Sequence, residues 1–402
     1  MTKHTIVTLP GDGIGGVVLE QALQVLDAAG FSANTIEADI GWEFWCTQGD
    51  PLPSRTLDLL AEHKTGLFGA ITSQPRNEAM AALAPELQGQ GFEYTSPIVG
   101  LRQHFGLDIC LRPCRSYLGN PLNFIRRGPG ETIEEPEIDV VIFRQNTEGL
   151  YGGVEWTDPP KEVHQAFMTH PRFKKLFGDL ATEALSISTR IFTRPATTRI
   201  LTAAFDHARR YGYPSVTLCE KPNVIRETSG MMYRLAQELQ RDQYPEIELW
   251  NTNIDAQMMW LTKNPENYGV IVAGNMFGDI VSDGFAGLIG GLGFAASAQV
   301  NPSTGVAVFE PTHGSAPKYA GYETSIVNPI AMIEAACLML DHLEEPGMSH
   351  RIRQAVARVV SEGQVRTYDM ARMSGGEQVL KQGAASTAEM TAAIIKALEP
   401  GS

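Results

Sequence analysis

The sequence lacks any apolar run of the ~18–20 residues that a membrane-spanning helix requires, and it has no low-complexity tract. Its amino terminus enters a strand-like segment, Thr5–Leu9, without the apolar core and cleavage site of a signal peptide. We therefore expect a cytoplasmic protein that does not use a membrane as a partner.

Cysteine and positive charge are also scarce. The five cysteines are odd in number and lack the spacing of a metal site, which favours reduced thiols over disulfides. With 32 Lys and Arg residues against 46 Asp and Glu residues, the formal net charge is −14, which argues against nucleic acid as a partner. A small anionic substrate stays compatible with this charge, because a local group of arginines can outweigh the total.

The sequence does contain a regular alternation of strand-like and helix-like segments. Over 402 residues this pattern predicts α/β layers and more than one ordinary core, and no internal repeat is present. We expect residues 180–194 to be helical, and residues 74–93 to form a polar loop with a short helix.

An apolar strand, Val270–Ala273, leads directly into a segment that carries Asp279 and Asp283. Two carboxylates four residues apart share one face of a helix, where like charges repel unless a cation lies between them. Oxygen ligands suit Mg²⁺ or Mn²⁺. Two solvated surface acids are the alternative, but glycine, alanine and apolar residues crowd the pair. We therefore predict a divalent metal site.

A glycine-rich turn follows the first strand and satisfies the GxGxxG pattern at Gly11, Gly13 and Gly16. Pro10 and Asp12 place a fixed backbone and a negative charge where a pyrophosphate would have to approach. We therefore interpret this segment as a tight strand–helix turn and not as a dinucleotide cradle.

Three arginines stand at or near the edges of apolar segments, at Arg102, Arg112 and Arg144. Each alone is typical of a surface salt bridge. Together they predict a clamp for a molecule with several carboxylates, because guanidinium pairs with carboxylate in a planar two-point geometry. Lys221 ends another apolar strand, where its side chain can reach a cleft.

These segments occur within a series of ordered motifs: GDGIG (11–15), SPIVGLR (96–102), LRP (111–113), RQNTEGLYGG (144–153), EKPN (220–223), GNMFGDIVSD (274–283) and EPTHGSAPKYAG (310–321). Over nearly its whole length the chain resembles the decarboxylating β-hydroxyacid dehydrogenases, which include isocitrate, homoisocitrate and 3-isopropylmalate dehydrogenase.

The resemblance implies an α/β fold distinct from the Rossmann arrangement. A large cofactor-binding domain would comprise residues 1–108 and 287–402. Residues 109–286 would form a smaller domain with the dimer interface, the metal ligands and the catalytic residues. The active sites would lie between the domains of a homodimer and be shared by its subunits.

The resemblance also implies site residues by position. The catalytic residues would be Tyr151 and Lys221. The substrate would be bound by Ser96, Ile98, Arg102, Arg112, Arg144 and Asn223. The metal would be held by Asp255, Asp279 and Asp283, with Asp255, Lys221 and Asn223 reaching in from the partner. Lys221 would remove the proton of the substrate hydroxyl, hydride would pass to the nicotinamide, and Tyr151 would protonate the product of CO₂ loss.

The cofactor implied is NADP, with NAD as the alternative. Many NAD-dependent members carry an Asp at the position of Lys318, whereas this chain has the cations and phenols that suit a 2′-phosphate. The cofactor residues implied are Thr72, Glu310, His313, Gly314, Ser315, Ala316, Lys318, Tyr319, Asn328, Tyr368 and Arg372.

The substrate implied is a 3-substituted malate, and we favour isocitrate, which would be converted to 2-oxoglutarate. Ser96 matches a serine that binds the extra carboxylate of isocitrate, but Ile98 stands where an Asn is expected. Homoisocitrate, 3-isopropylmalate and a malate with another anionic arm, such as phosphonomethylmalate, stay open. Arg126 and Arg127 could meet such an arm, although a solvated loop is the simpler interpretation. A catalytically inactive regulatory subunit is a further alternative.

Overall fold

Strands and helices alternate along the chain in a computed structural model that describes residues 4–398. The strands, β1 to β14 in chain order, are His4–Gly11, Ala33–Glu37, Thr65–Ala70, Ile109–Arg115, Arg126–Arg127, Ile133–Glu134, Asp139–Gln145, Glu155–Thr157, Ser186–Ser188, Ser215–Glu220, Glu248–Asn253, Val270–Ala273, Ala296–Asn301 and Val306–Pro311. The α-helices, α1 to α15, are Gly15–Ala28, Trp42–Gln48, Ser54–His63, Arg76–Ala81, Pro97–Phe105, Lys161–Met168, Pro171–Phe177, Arg194–Tyr211, Thr228–Gln243, Ile254–Leu261, Asn275–Leu288, Pro317–Ala320, Ile330–His342, Pro346–Glu362 and Thr387–Leu398.

Ten of the strands form one sheet in the order β11-β10-β12-β7-β4-β13-β14-β3-β1-β2. The pairs β7–β4, β4–β13 and β13–β14 are antiparallel, and the other neighbours are parallel. The five strands at one end all come from residues 109–273, whereas those at the other end combine residues 4–70 with residues 296–311. The antiparallel strands therefore lie in the middle, where the two groups meet.

Helices cover both faces of this sheet. Neighbouring residues of a strand point to opposite faces, and Ile6 and Val7 of β1 accordingly belong to different apolar clusters. The cluster around Ile6 includes residues of α1, α13, α14 and α15, and the cluster around Val7 includes residues of α3 and α5. This layered arrangement confirms the predicted α/β class. Within residues 4–398, no helix combines the length and apolar character that crossing a membrane requires.

The glycine-rich turn after β1 packs tightly against the protein itself. Its amide groups at Asp12 and Ile14 donate to the carbonyl oxygens of Ala70 and Ser315, at 2.8 and 2.9 Å. Gly13 has φ +58°, and a Cβ there would lie 2.1 Å from the Ser315 carbonyl oxygen. These amides are therefore already used, which confirms the interpretation of a structural turn.

Two of the predicted segments differ in the structure. The predicted helix over residues 180–194 is absent up to Arg194, where α8 begins: a short 3₁₀ turn at Thr182–Ala184 precedes β9, which pairs with β8. The prediction was wrong because the partner strand lies about thirty residues earlier in the chain and leaves no local signal.

Residues 74–93 are less of a polar loop than predicted. The helix there covers only Arg76–Ala81, and the segment encloses Trp45, which is fully buried and donates Nε1 to the Ala79 carbonyl oxygen at 2.7 Å. Leu83 is buried beside it. The insertion thus has a small apolar core of its own.

Candidate active site

Two aspartates and two arginines meet at the centre of the sheet. Asp279 and Asp283 lie one turn apart on α11, as predicted. Arg112 on β4 donates Nη1 to Asp279 Oδ1 and to Asp283 Oδ1, each at 3.2 Å. Arg144 on β7 also donates Nη1 to Asp279. Because Cys110, two residues before Arg112, pairs with Arg144 across the antiparallel strands, both guanidinium groups project from the same face.

The two arginines of this cluster are largely withdrawn from water, whereas Asp279 is half-buried and Asp283 is exposed. Arg112 is 8% exposed and Arg144 is 3% exposed. Burial and the charge of Asp279 raise the pKa of Asp283, while Arg112 opposes that change. Burial and the neighbouring Arg112 lower the pKa of Arg144. Arg112 Nε is buried without a partner among the described residues. The cluster therefore has a donor free for an anionic oxygen.

Tyr151 borders this cluster from a one-turn 3₁₀ segment, Leu150–Gly152. Its hydroxyl lies 3.4 Å from Asp279 Oδ2, and the Arg144 guanidinium lies 5.7 Å from its ring centre. Burial and the carboxylate of Asp279 raise the pKa of the phenol. Tyr151 therefore holds its proton at neutral pH, and its 48% exposure leaves it accessible.

Arg102 on α5 is held by a second polar group. Its Nε donates to Gln299 Oε1 at 2.6 Å, and its Nη2 lies 3.6 Å from Glu310 Oε1. The same Gln299 oxygen accepts from Asn146 Nδ2 at 2.9 Å, while Gln299 Nε2 donates to Glu310. Burial raises the pKa of Glu310. The orientation of the Gln299 amide is thus determined by three partners.

The residues predicted to meet the substituent of the substrate lie at the start of α5. Ser96 Oγ is 3.0 Å from Ser73 Oγ. Ile98 packs against the apolar cluster that contains Leu9 and Leu101. Its side chain therefore contributes to the core of the sheet as well as to any pocket wall.

The other predicted catalytic residues form a separate group in the same chain. Lys221, just after β10, donates Nζ to Asp255 at the start of α10. The hydrogen bond from Lys221 lowers the pKa of Asp255. Asn223 is exposed beside them. Within residues 4–398, no three His, Cys, Asp or Glu side chains converge to hold a metal ion. One chain thus brings together only two of the three predicted metal ligands, Asp279 and Asp283. The third, Asp255, lies beside Lys221, at the start of α10.

The predicted cofactor residues lie mainly in the loop after β14, next to the end of β3. Thr72 Oγ1 is 2.5 Å from Ser315 Oγ, and the Thr72 amide donates to Asp12 Oδ2 at 2.7 Å. His313 Nδ1 lies 3.0 Å from the carbonyl oxygen of the exposed Gly314, while His313 Nε2 is buried without a partner among the described residues. Burial lowers the pKa of His313. The neutral ring therefore fits an uncharged polar ligand.

The two predicted phosphate-binding phenols contact each other next to this loop. The rings of Tyr319 and Tyr368 are 5.5 Å apart, and Lys318 Nζ lies 4.6 Å above the Tyr319 ring. A hydrogen bond from Tyr368 lowers the pKa of Tyr319. Ala316, immediately before α12, has a left-handed backbone with φ +38°, and Lys318 within that helix is exposed.

The two remaining cofactor candidates have protein partners. Arg372 donates Nη2 to the Pro121 carbonyl oxygen at 2.7 Å. Asn328 donates Nδ2 to Asp369 Oδ2 at 3.1 Å and is almost fully buried. Asn328 therefore holds the segment that contains Asp369. Arg372 would have to leave the Pro121 carbonyl oxygen to bind a phosphate.

Comparison with known proteins is consistent with this geometry. Residues 5–394 match the sequence profile of the family described as isocitrate/isopropylmalate dehydrogenase. The chain belongs to this family. Members of the isocitrate/isopropylmalate dehydrogenase family are decarboxylating dehydrogenases of 3-substituted malates. They generally use NAD(P) and a divalent metal, and they are typically dimeric.

Several known proteins match the chain along nearly its full length. The protein DlpA of Legionella pneumophila is 38% identical over 393 residues, which cover 97% of this chain and 58% of that protein. The chain thus spans less than two thirds of DlpA. The 3-isopropylmalate dehydrogenase of Methanothermobacter thermautotrophicus is 35% identical, with 99% of this chain and 100% of that protein covered. The crystal structure of isocitrate dehydrogenase from Methylococcus capsulatus matches with a TM-score of 0.79 and 33% identity, covering 98% of this chain and 99% of that chain.

Sequence reasoning missed several side chains that hold the site of this family member. Gln299 and Asn275 are two of them: Asn275 Oδ1 accepts from Arg144 Nε at 3.0 Å. The sequence signal for Gln299 is a glutamine in the middle of an apolar strand. In the structure it is fully buried, and a buried amide needs hydrogen-bond partners. Arg126, considered for an anionic arm, instead forms ion pairs with Glu134 and Glu266, at 3.1 and 2.8 Å.

Proposed function

We propose that the chain oxidises isocitrate to 2-oxoglutarate and CO₂, with NADP as hydride acceptor and Mg²⁺ or Mn²⁺ as the metal. The observation that carries this proposal is the cluster of Arg112, Arg144, Asp279 and Asp283 with the Tyr151 hydroxyl beside it. Buried guanidinium groups suit substrate carboxylates, and paired carboxylates suit a hard cation.

The arginines have the first task, which is to bind and orient the substrate. Arg112 and Arg144 would exchange their aspartate partners for carboxylates of the substrate, and Arg102 would bind a carboxylate while Gln299 holds its guanidinium. In the low-dielectric interior each charge-assisted hydrogen bond is stronger than in water. The released Asp279 and Asp283 would hold the metal together with Asp255 of the partner subunit.

Proton transfer then falls to two residues, Lys221 and Tyr151. When bound, the metal ion supplies Lewis-acid stabilisation of the substrate oxygens. Lys221 of the partner subunit would first release its own proton to solvent and then, as the neutral amine, accept the hydroxyl proton. Tyr151, whose pKa is raised by burial and by Asp279, keeps its proton and delivers it to the carbon that CO₂ leaves.

A homodimer is part of the proposal, because one chain alone keeps Lys221 and Asp255 apart from the Asp279 cluster. Exposed apolar side chains on α10, α11 and the neighbouring edge strand support an interface between subunits. These are Met259, Trp260, Ile280 and Trp250. We further propose that residues 109–286 form the smaller domain of the subunit and that residues 1–108 and 287–402 form the larger one.

NADP is proposed over NAD because the exposed Lys318 lies next to two phenols, the buried Tyr319 and the half-buried Tyr368. Lys318, Tyr319 and Tyr368 would bind the 2′-phosphate, and Arg372 would join them after leaving the Pro121 carbonyl. The nicotinamide end would lie toward Thr72 and Ser315, whose hydroxyl groups are already in contact.

A second candidate substrate carries an apolar substituent, as 3-isopropylmalate does. Ile98 and Val99 stand between Ser96 and Arg102, so an apolar group could meet this side of the helix. The serine pair at Ser73 and Ser96 favours a polar arm, and this pair is the reason for preferring isocitrate.

The deciding measurement is the reduction of NADP and of NAD with isocitrate, homoisocitrate, 3-isopropylmalate, tartrate and malate, each with Mg²⁺, with Mn²⁺ and with chelator. Preference for isocitrate with NADP, lost with chelator, would support the proposal in full. Turnover of another 3-substituted malate would keep the mechanism and correct the substrate. Absence of turnover across the panel would favour the inactive regulatory subunit.

A further inference from the structure

A buried ion pair outside the proposed catalytic set adjoins two of its members. Glu220 is the last residue of β10 and immediately precedes Lys221, and its exposure is 0%. Arg190 donates Nη2 to both Glu220 oxygens, at 3.0 and 2.8 Å. A carboxylate so deeply buried is costly unless it is paired, and the two contacts from Arg190 Nη2 meet that requirement.

Glu220 also binds the amino-terminal end of α11, the helix that carries Asp279 and Asp283. The Gly274 amide donates to Glu220 Oε1 at 2.9 Å. A Cβ at Gly274 would lie 2.6 Å from that same oxygen, so only glycine permits the approach. A negative charge at this end of a fourteen-residue helix is also favoured by the helix dipole.

Arg190 extends the contact to a third element. Its Nη1 donates to Thr228 Oγ1 and Ser229 Oγ, at 3.0 and 2.9 Å, at the start of α9. Its guanidinium also lies over two aromatic rings, 4.4 Å from the centre of Phe192 and 5.0 Å from the centre of Phe277. Every donor position of this guanidinium terminus is therefore in use, and its orientation is determined.

The same segment reaches the loop that carries Tyr151. The residue after Arg190, Ile191, accepts from the Gly149 amide at 2.9 Å, two residues before Tyr151. Thr193 donates its amide to Glu148 Oε2 at 2.8 Å. The segment that follows Arg190 is thus attached at two points to the residues just before Tyr151.

We propose that Arg190 and Glu220 are a positioning pair that fixes the strand end bearing Lys221 and the first turn of the helix bearing Asp279. The inference rests on the proposed function, in which Lys221 serves the partner's active site and Asp279 serves the site of its own subunit. The pair therefore connects the two active sites of the dimer, although neither residue touches substrate.

The first test compares Glu220→Gln, which keeps the shape and the acceptor for Gly274, with Arg190→Lys and Arg190→Met. A displaced Lys221 or Asp279 should lower kcat on the order of 10- to 10²-fold. The KM for NADP should stay within about threefold, because the cofactor loop is untouched. The KM for substrate should rise only if Asp279 moves, because Asp279 accepts from Arg112 and Arg144. Arg190→Lys should keep more activity than Arg190→Met, which isolates a buried carboxylate and can fail to fold.

The matched control is the exposed pair of Arg209 and Glu246, whose Nε–Oε1 distance is 2.7 Å. Glu246→Gln should leave kcat unchanged. If Glu220→Gln lowered only the melting temperature and left kcat at the native value, the pair would be purely structural and the proposal would be overturned.

The second test uses heterodimers purified through two different tags. One subunit carries Asp279→Asn, so a single live site remains, made from Asp279 of one subunit and Lys221 of the other. Glu220→Gln is then placed in one subunit or in the other. In the subunit with Asp279→Asn it lies next to the Lys221 of the active site, and in the other subunit it lies next to the helix that carries the native Asp279. A fall in kcat in both arrangements is expected.

A fall in kcat in only one arrangement would show that Glu220 positions either Lys221 or Asp279 but not both. That result would overturn the proposed connection between the two active sites of the dimer. The reference heterodimer with native Glu220 separates this result from failure of the proposed function. If that reference showed no metal-dependent turnover with any substrate of the panel, the function itself would be refuted before Glu220 was changed.

Discussion

Arg112 Nη1 lies 3.2 Å from Asp279 Oδ1, so a proposed substrate-binding group and a proposed metal ligand are partners of each other. The same interaction neutralises the buried Arg112 and the half-buried Asp279 in the free chain. Substrate and metal must therefore bind by exchange of partners: the arginine turns to a carboxylate of the substrate as the aspartate turns to the cation. A change at either residue is expected to affect both ligands.

Replacing Asp283 by asparagine tests this site directly. Asp283→Asn removes one metal ligand while keeping the side-chain shape, and we expect kcat to fall by at least about 10²-fold over the whole range of Mn²⁺ concentrations. The control is Asp242→Asn, which makes the same substitution at an exposed residue. In the native chain Asp242 accepts from Arg241. Undiminished turnover of Asp283→Asn would refute the metal assignment.

Cofactor preference is expected to depend on Lys318 and Tyr319. The double variant Lys318→Asp with Tyr319→Ile should lower the ratio of kcat/KM for NADP over NAD at least about tenfold, because it removes a cation and a phenol and adds a repelling carboxylate. Lys381→Asp makes the same charge change at an exposed position away from the loop. An unchanged ratio in the double variant would show that the phosphate binds elsewhere.

Sharing of the active site can be detected by complementation. Asp279→Asn and Lys221→Met should each abolish activity as homodimers. A heterodimer of the two should regain about half of the native activity, because one of its two sites combines native Asp279 with native Lys221. If each site were built within one subunit, the heterodimer would be as inactive as its parents.

Stability in mild acid is expected to depend on His207. This side chain lies among aromatic rings, 5.3 Å from Phe143 and 4.4 Å from Tyr211, and burial lowers its pKa from 6.5 to about 4. The unfolded chain therefore binds the proton first as the pH falls, so stability is lost from pH 6.5 downward. At ~1.4 kcal/mol for each pH unit between the two values, the loss reaches roughly 3 kcal/mol near pH 4.

Denaturant unfolding between pH 7 and pH 4 measures this effect. His207→Leu should flatten the decline in unfolding free energy by that amount, whereas His350→Gln, at an exposed position, should leave it as in the native chain. Parallel curves for His207→Leu and the native chain would show that the ring is not held neutral.

The helix with Asp279 and Asp283 could be predicted from sequence, because an apolar strand and a spacing of four residues are local signals. The capped last helix also follows from local residues: Ser386 Oγ and Glu389 form reciprocal contacts at its start. Local sequence patterns do not indicate which residues far apart in the chain come into contact.

The contact of Arg112 with Asp279 spans 167 residues, and that of Arg102 with Gln299 spans 197. The incorrect helix over residues 180–194 has the same origin, since β9 exists only through pairing with β8. For Glu220, the sequence shows a charged residue beside a lysine, and only the fold reveals its full burial.

The strand order also determines when the polypeptide can complete its sheet during translation. Residues 109–273 contain all five strands of one end and can pair as soon as they leave the ribosome. The strand Thr65–Ala70 instead awaits Val306–Pro311, and Thr72 meets Ser315, 243 residues later. One edge of β3 thus stays unpaired until about three quarters of the chain has been synthesised. A nascent chain that stalls in this interval is prone to associate with other nascent chains through that edge.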